Sequence, residues 1–241
     1  MSFHMRPSRV LKKMREGGVA TSTKLNLSDL RVVEIAAMSG FDCLWIDMEH
    51  VPNNMDFVEN AVRTAKAYDG DILTRTCRGG YNNYIRPLEA DSTGIMVPHL
   101  MGLEDAKTIN YYTKFHPIGR RPIDGGNADG KYCLIDANEY MAEANRERFV
   151  ICQIEDPEPL KELEEIADVP GIDMLCNRVE LSTAKQCQSA VHQYGREAML
   201  SELYGVTGWD ADFRLYKFSG DWQAALGVTI RVPHLSWVSM A

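Results

Sequence analysis

The chain has 241 residues, 45% hydrophobic and 25% charged, enough for one large domain with a full core or for two small ones. Its formal net charge of −8 argues against nucleic acid or an anionic membrane as the main partner, because both repel an acidic surface. No apolar run reaches the roughly 18 residues that a membrane span requires. The opening stretch MSFHMRPSRVLKKMREGG has basic residues with no apolar run behind them and does not read as a secretory leader. Cys43, Cys77, Cys133, Cys152, Cys176 and Cys187 form no Cys-x-x-Cys pair, and four of them lie in or beside apolar runs. A reduced, cytoplasmic protein is expected, without a disulfide framework or a thiolate zinc site.

In chain order, short apolar runs at 19–24, 42–48, 71–76, 94–99, 149–155 and 172–177 predict six strands. Most are followed by stretches with helical spacing. Ser28 or Asp29 can cap a helix through Val32, Val33, Ile35 and Ala36, stopped by Gly40. Asn54 can cap one through Phe57, Val58, Ala61 and Val62, and Gly102 opens another over 103–115. Asp156-Pro157 opens a helix through Leu160, Leu163 and Ile166, with proline in the first turn, where its missing N–H costs nothing. Buried strands alternating with amphipathic helices indicate a parallel sheet covered on both faces, and six units favour a (β/α)8 barrel. The segment 119–136 breaks the rhythm with RRPIDGGNADGKY and reads as a long loop. It lacks the glycine spacing of a P-loop, so a phosphate reading of it is weak.

Chemistry is expected where the strands end, because parallel α/β folds project their working groups from the carboxyl ends. The second strand ends in Trp45-Ile46-Asp47-Met48-Glu49-His50, the third in Thr74-Arg75 and the fourth in Pro98-His99. The fifth ends in Gln153-Ile154-Glu155-Asp156 and the sixth in Asn177-Arg178-Val179-Glu180. Each group alone has a bland reading: Glu49-His50 as a solvated turn, Arg75 as a partner of Asp71, Asp156 as a helix cap, His99 as a satisfied loop histidine. Together they supply carboxylates for a hard cation, a histidine titrating near neutrality and a guanidinium for an anion.

The stretch GFDCLWIDMEHVPNN resembles the Gly-Phe-Asp…Asp-x-Glu-His-x-x-x-Asn signature of the HpcH/HpaI aldolase family. The similarity continues through the arginine-bearing third strand, GIMVPHL, PIGRRP and CQIEDPEPLKELEEIADVPGIDML, covering about residues 10–176. It implies a (β/α)8 TIM-type barrel and a Mg²⁺ or Mn²⁺ ion. It implies reversible cleavage of a 4-hydroxy-2-oxo acid to pyruvate, or a close 2-oxo acid, and an aldehyde. It also implies a homo-oligomer, a hexamer or dimer. By position, His50 resembles the general acid/base, oriented by Asp47, and Arg75 the residue that holds the 2-oxo acid and its enolate oxygen. Glu155 resembles the first metal ligand, with Gln153 beside it and Glu49 steadying a metal-bound water. Asp91 matches a further substrate-binding position, offset by two extra residues. The alternatives are a catalytically impaired or inactive barrel homologue, and a CoA-thioester lyase of the citrate-lyase type. The latter needs a groove for the CoA nucleotide, for which no clear basic patch stands out.

The resemblance departs after the sixth strand. Cys176-Asn177-Arg178-Val179-Glu180-Leu181-Ser182 lacks the family's Gly-Pro, is one residue shorter, and offers Glu180 where an aspartate ligand is expected. Arg178 adds positive charge there. Residues 1–180 read as the barrel body and carry the whole −8, since 181–241 hold five Lys/Arg and five Asp/Glu. That tail, the C-terminal part of the same domain, also holds four of the five glutamines, three of the four tryptophans and no asparagine. Only 226–232 reads as a strand. This break predicts either a divergent, rebuilt C-terminal quarter or an out-of-frame tail, and in the second case the strands that close the barrel would be missing.

Overall fold

The computed structural model describes residues 3–178, 181–203 and 213–233. Eight parallel strands close into a barrel in sequence order: β1 (Ala20–Leu25), β2 (Cys43–Asp47), β3 (Asp71–Arg75), β4 (Gly94–Val97), β5 (Phe149–Ile154), β6 (Met174–Arg178), β7 (Ala198–Leu203) and β8 (Ile230–Pro233). Closure is direct, with Ala20 opposite Ile230 and Thr21 opposite Arg231. The helices are α1 (Arg9–Arg15), α2 (Leu30–Met38), α3 (Met55–Lys66), α4 (Asn82–Glu89), α5 (Leu103–Thr113), α6 (Ala137–Glu147), α7 (Leu163–Ala167), α8 (Leu181–Gln193) and α9 (Phe213–Ala225).

The predicted caps form. Asp29 accepts from the Arg31 N–H and Asn54 from the Phe57 N–H, each satisfying an orphan donor of a first turn. Asp156-Pro157 does not open a helix. A 3-10 turn over Pro159–Glu162 precedes α7, and Asp156 is engaged elsewhere. The long loop stays irregular except for one tight turn at Lys131–Cys133.

The expectation of missing closing strands does not hold. β7 escapes an apolar-run reading because AMLSEL contains a serine and a glutamate. Both are buried: the Ser201 hydroxyl meets Gln223 Oε1 of α9 at 2.6 Å, and Glu202 continues the inward series of its strand. β8 begins later than the 226–232 run suggests.

The barrel interior is packed in layers. Ala20, Cys43, Leu73, Phe149, Met174, Ala198 and Ile230 form its lower part, with Trp45, Met96, Ile151, Cys176, Leu200 and Val232 above them. Val10, Leu11 and Met14 of α1 join the same cluster and plug the amino-terminal end. Gly94 is required here: a Cβ at that position would lie 2.1 Å from the Phe149 ring. Two buried carboxylates at strand starts hold the plug. Asp71 accepts from Ser8 Oγ (2.8 Å), from the Val10 N–H (2.9 Å) and from Arg6, and Asp42 accepts from Lys13 (2.8 Å) and from the N–H and hydroxyl of Thr21. Cys43, Cys152, Cys176 and Cys187 are buried free thiols, while Cys77 and Cys133 are exposed. Among the described residues no helix is long and apolar enough to cross a membrane.

Candidate active site

Side chains alternate across a strand, so the inward series that forms the core continues upward into whatever residue type the sequence places at the carboxyl end. Here Lys24 follows Ala20 and Ser22, Asp47 follows Cys43 and Trp45, and Arg75 follows Leu73. Gln153 and Glu155 follow Phe149 and Ile151, and Glu202 follows Ala198 and Leu200. The apolar core therefore ends in a polar floor, roofed by the loops beyond the strands.

Arg75 and Asp47 are its centre. Arg75 Nε donates to Asp47 Oδ1 at 2.9 Å and Nη2 to Oδ2, and Nε lies 3.2 Å from Glu49 Oε2. The Lys24 ammonium stands 3.1 Å from Asp47 Oδ2, and both cations lie over the Trp45 ring, at 5.2 Å for Lys24 and 5.0 Å for Arg75. Burial raises the Asp47 pKa, but the Arg75 hydrogen bonds and charge, Lys24 and the Glu49 N–H outweigh it and hold the carboxyl at about 2. Arg75 is held charged in turn. Burial opposes its charge, while Asp47, Glu49 and Glu202 favour it and raise its pKa.

A second group sits across the mouth. His99 Nδ1 meets Asp156 Oδ2 at 3.0 Å, its Nε2 lies 3.8 Å from Glu155 Oε2 and 3.9 Å from Glu49 Oε1, and its N–H donates to Glu155 Oε2 at 3.2 Å. The Asp156 hydrogen bond raises the His99 pKa; modest burial opposes this, and the charges of Glu155, Asp156 and Glu49 add to the rise. His99 adopts a left-handed backbone (φ 46°), unusual for a residue with a Cβ. Arg78 clamps that turn by donating to the carbonyls of Pro98 (3.1 Å) and His99 (2.8 Å), and is itself fixed by Asp105.

Asp47, Glu49, His50, Arg75, Gln153 and Glu155 are thus brought to one mouth. Two expectations need correction. His50 is not oriented by the Asp47 carboxylate through its ring. Only its backbone N–H reaches Asp47 (3.3 Å), because Arg75 and Lys24 occupy that carboxylate. The imidazole is 66% exposed, with Nε2 3.5 Å from Glu49 Oε2. Asp91 does not line this mouth. It precedes β4 at the opposite end of the barrel, with φ 73°, and its buried carboxylate is taken by Lys66, Lys131 and Arg148. Glu180 and the Arg178 side chain lie outside the described residues.

Lys24, Glu202 and Arg78 were not singled out in the sequence. Lys24 could have been found by the rule used for the other strands, since it stands near the carboxyl end of the first. Glu202 could not, because its strand is not legible as one.

The mouth suits a hard cation. Gln153 Oε1 is a buried oxygen without a hydrogen-bond partner, and Glu49 Oε2 is buried with the Arg75 guanidinium and the His50 ring near it. Glu49 and Glu155 each bring a carboxylate oxygen within 3.9 Å of His99 Nε2. Carboxylate and amide oxygens are the donor set that Mg²⁺ or Mn²⁺ takes. Elsewhere, among the described residues, His4, Glu139 and Glu143 bring ligand atoms within 4.8 Å of one another on the surface.

Fold and mouth together define a (β/α)8 barrel with an acidic, arginine-centred site at the carboxyl ends of its strands. The chain belongs to the HpcH/HpaI aldolase/citrate lyase family, whose model matches residues 25–177. A 2-keto-3-deoxy-L-rhamnonate aldolase of Klebsiella pneumoniae subsp. pneumoniae is 32% identical over 143 residues, 59% of this chain and 53% of that protein. The enzyme of the same name from Shigella boydii serotype 4 is 28% identical over 163 residues, 67% of this chain and 60% of that protein. The match therefore spans less than two thirds of the length of these relatives. The crystal structure of an HpcH/HpaI aldolase from Desulfitobacterium hafniense DCB-2 superposes with a TM-score of 0.80 at 21% identity, covering 93% of this chain and 89% of that one.

Proposed function

We propose that this protein is a metal-dependent carbon–carbon lyase that cleaves a 4-hydroxy-2-oxo acid to pyruvate, or a close 2-oxo acid, and an aldehyde. The observation that carries the reading is the buried Arg75–Asp47 pair, set at a barrel mouth that also holds the unpartnered amide oxygen of Gln153 and the carboxylates of Glu49 and Glu155. Glu155 and Gln153 would hold a Mg²⁺ or Mn²⁺ ion, with Glu49 reaching it through water and Glu180 as a further candidate ligand. When bound, the ion acts as a Lewis acid that stabilises negative charge on the substrate's C2 oxygen.

The chain's own groups do the rest. Arg75, kept charged and fixed by Asp47, pairs with the oxygens of the 2-oxo acid and stabilises the enolate charge as the C3–C4 bond breaks. His50 accepts the proton of the C4 hydroxyl, so that the departing fragment leaves as an aldehyde, and a proton then returns to C3 to give the 2-oxo acid. Its exposed ring suits exchange of that proton with water. Lys24 holds the second Asp47 oxygen, which keeps the carboxylate ionised and Arg75 in place. The protein works as a homo-oligomer in the cytoplasm under this reading.

The test is pyruvate release from 4-hydroxy-2-oxo acids in saturating Mn²⁺, read by a coupled dehydrogenase. Activity in the intact chain and its loss in Arg75→Ala and His50→Ala, with melting still cooperative, are expected. Undiminished turnover in either variant would overturn the assigned roles, and no release from any such acid would overturn the activity.

A further inference from the structure

Asp91 collects more positive charge than one carboxylate neutralises. Lys66 at the end of α3, Lys131 (2.7 Å) from the long loop and Arg148 just before β5 all converge on it. Beside them opens a cavity of about 370 Å³, whose lining includes Arg6, Arg63, Lys66, Lys131 and Tyr132, and in which Asp91 is the one carboxylate. Arg6 is also paired with Asp69 and Asp71, Arg63 with Glu59 and Arg148 with Asp129, so Lys66 and Lys131 are the two cations that share Asp91 as their carboxylate partner.

The long loop is shaped to deliver its part of this lining. Its 124–133 segment is tied to itself by Cys133 N–H to Gly125 O (2.7 Å), Tyr132 N–H to Asn127 O (2.9 Å) and Gly130 N–H to the Asn127 side chain (2.9 Å). Lys131, Tyr132 and Cys133 all take left-handed backbone conformations, at φ 51°, 56° and 64°. Three successive non-glycine residues in that region are strained, and strain of this kind is retained where surrounding contacts or function demand it. The result turns the Lys131 ammonium onto Asp91 and leaves the Tyr132 ring 61% exposed at the rim. Burial, followed by the charges of Lys131, Arg148 and Arg6, pulls the Lys66 pKa down to about 7 against the opposing charge of Asp129.

We propose that this cavity binds a small phosphorylated anion, at a site remote from the barrel mouth. Ammonium groups act as point charges with three donors each, which suits a tetrahedral dianion approaching from any side. Lys131 spends two of its three donors within the site, on Asp91 and on the Ala128 carbonyl. The volume falls within the usual range for small-molecule sites and exceeds what a bare phosphate fills, leaving room for a short organic body against Tyr132. Asp91 and Pro98 bracket β4, so roughly 20 Å of chain separates this cavity from the mouth.

The experiment is titration calorimetry of the intact protein with ribose 5-phosphate, inorganic phosphate and ribose. Saturable binding of the phosphate ester is expected, with none for ribose. Equal affinity for inorganic phosphate would assign recognition to the phosphoryl group alone, and tighter binding of the ester would assign the source to an organic phosphate. Lys66→Gln and Lys131→Gln should each weaken binding about tenfold or more, since each removes a charged hydrogen-bond donor. Each leaves Asp91 two cations, and cooperative melting of the free variants checks that they fold. Arg75→Met, which alters only the mouth, should bind as the intact protein does. Absence of saturable binding by either phosphate, undiminished binding in both lysine variants, or loss of binding in Arg75→Met would overturn the proposal.

Discussion

Replacing Arg75 by methionine keeps much of the side-chain volume over Trp45 and removes the charge that Asp47 faces. The Asp47 side chain has no exposed surface, and in the intact protein its carboxyl is held at about 2 against an ordinary 3.8. A depression of that size corresponds to about 2 kcal/mol of stabilisation of the ionised form. Removing one member of a buried ion pair costs about 3–5 kcal/mol, because the survivor stays desolvated. Lys24 at 3.1 Å and the N–H groups of Glu49 and His50 remain on Asp47, so the lower end, about 3 kcal/mol, is expected. The stabilisation is fully present above the unfolded-state carboxyl pKa and is lost as pH falls towards about 2. The gap between the two proteins should therefore be full near pH 7 and should shrink below about pH 4. Urea unfolding followed by far-ultraviolet circular dichroism, at neutral pH and near pH 3.5, measures both. A neutral-pH gap under about 1 kcal/mol, or a gap unchanged at the acidic pH, would refute the view that this pair dominates the Asp47 environment.

Three further outcomes follow from the packing and the mouth. Gly94→Ala places a methyl 2.1 Å from the Phe149 ring and should cost about 3 kcal/mol in urea unfolding, with Phe149→Leu in the same chain recovering part of it. Asp71→Ala strands the Ser8 hydroxyl and the Val10 N–H beneath the barrel; a loss of about 2–4 kcal/mol and faster proteolysis within the first 15 residues are expected, and unchanged cleavage would mean that α1 is held by its apolar face alone. Glu155→Gln should abolish Mn²⁺ binding in calorimetry while leaving the melting curve of the metal-free protein in place; retained affinity would remove Glu155 from the ligand set.

Local sequence determined a large share of this protein. Caps at Asp29 and Asn54, the apolar runs of β1 to β6 and the polar residues ending them are matters of pattern, and pattern placed Asp47, Glu49, Arg75, Gln153 and Glu155 at the carboxyl end of the barrel. Strand alternation alone carries each inward series from core to mouth, so residue type at the last inward position decides the chemistry. What pattern could not decide was which polar groups find each other. Ser201 and Glu202 hide β7 from an apolar-run reading, because their burial is made acceptable by Gln223 of a distant helix and by the charged floor across the barrel. Whether Asp47 would orient His50 or bind Arg75 depended on two cations arriving from β1 and β3, which no local spacing encodes. Asp91 is the sharpest case. Its place in a motif suggested the active site, yet Lys66, Lys131 and Arg148, up to 57 positions away along the chain, claim it at the other end of the barrel. Burial of a charge is settled by the partners that can reach it, and only the tertiary structure brings those partners within a few ångströms.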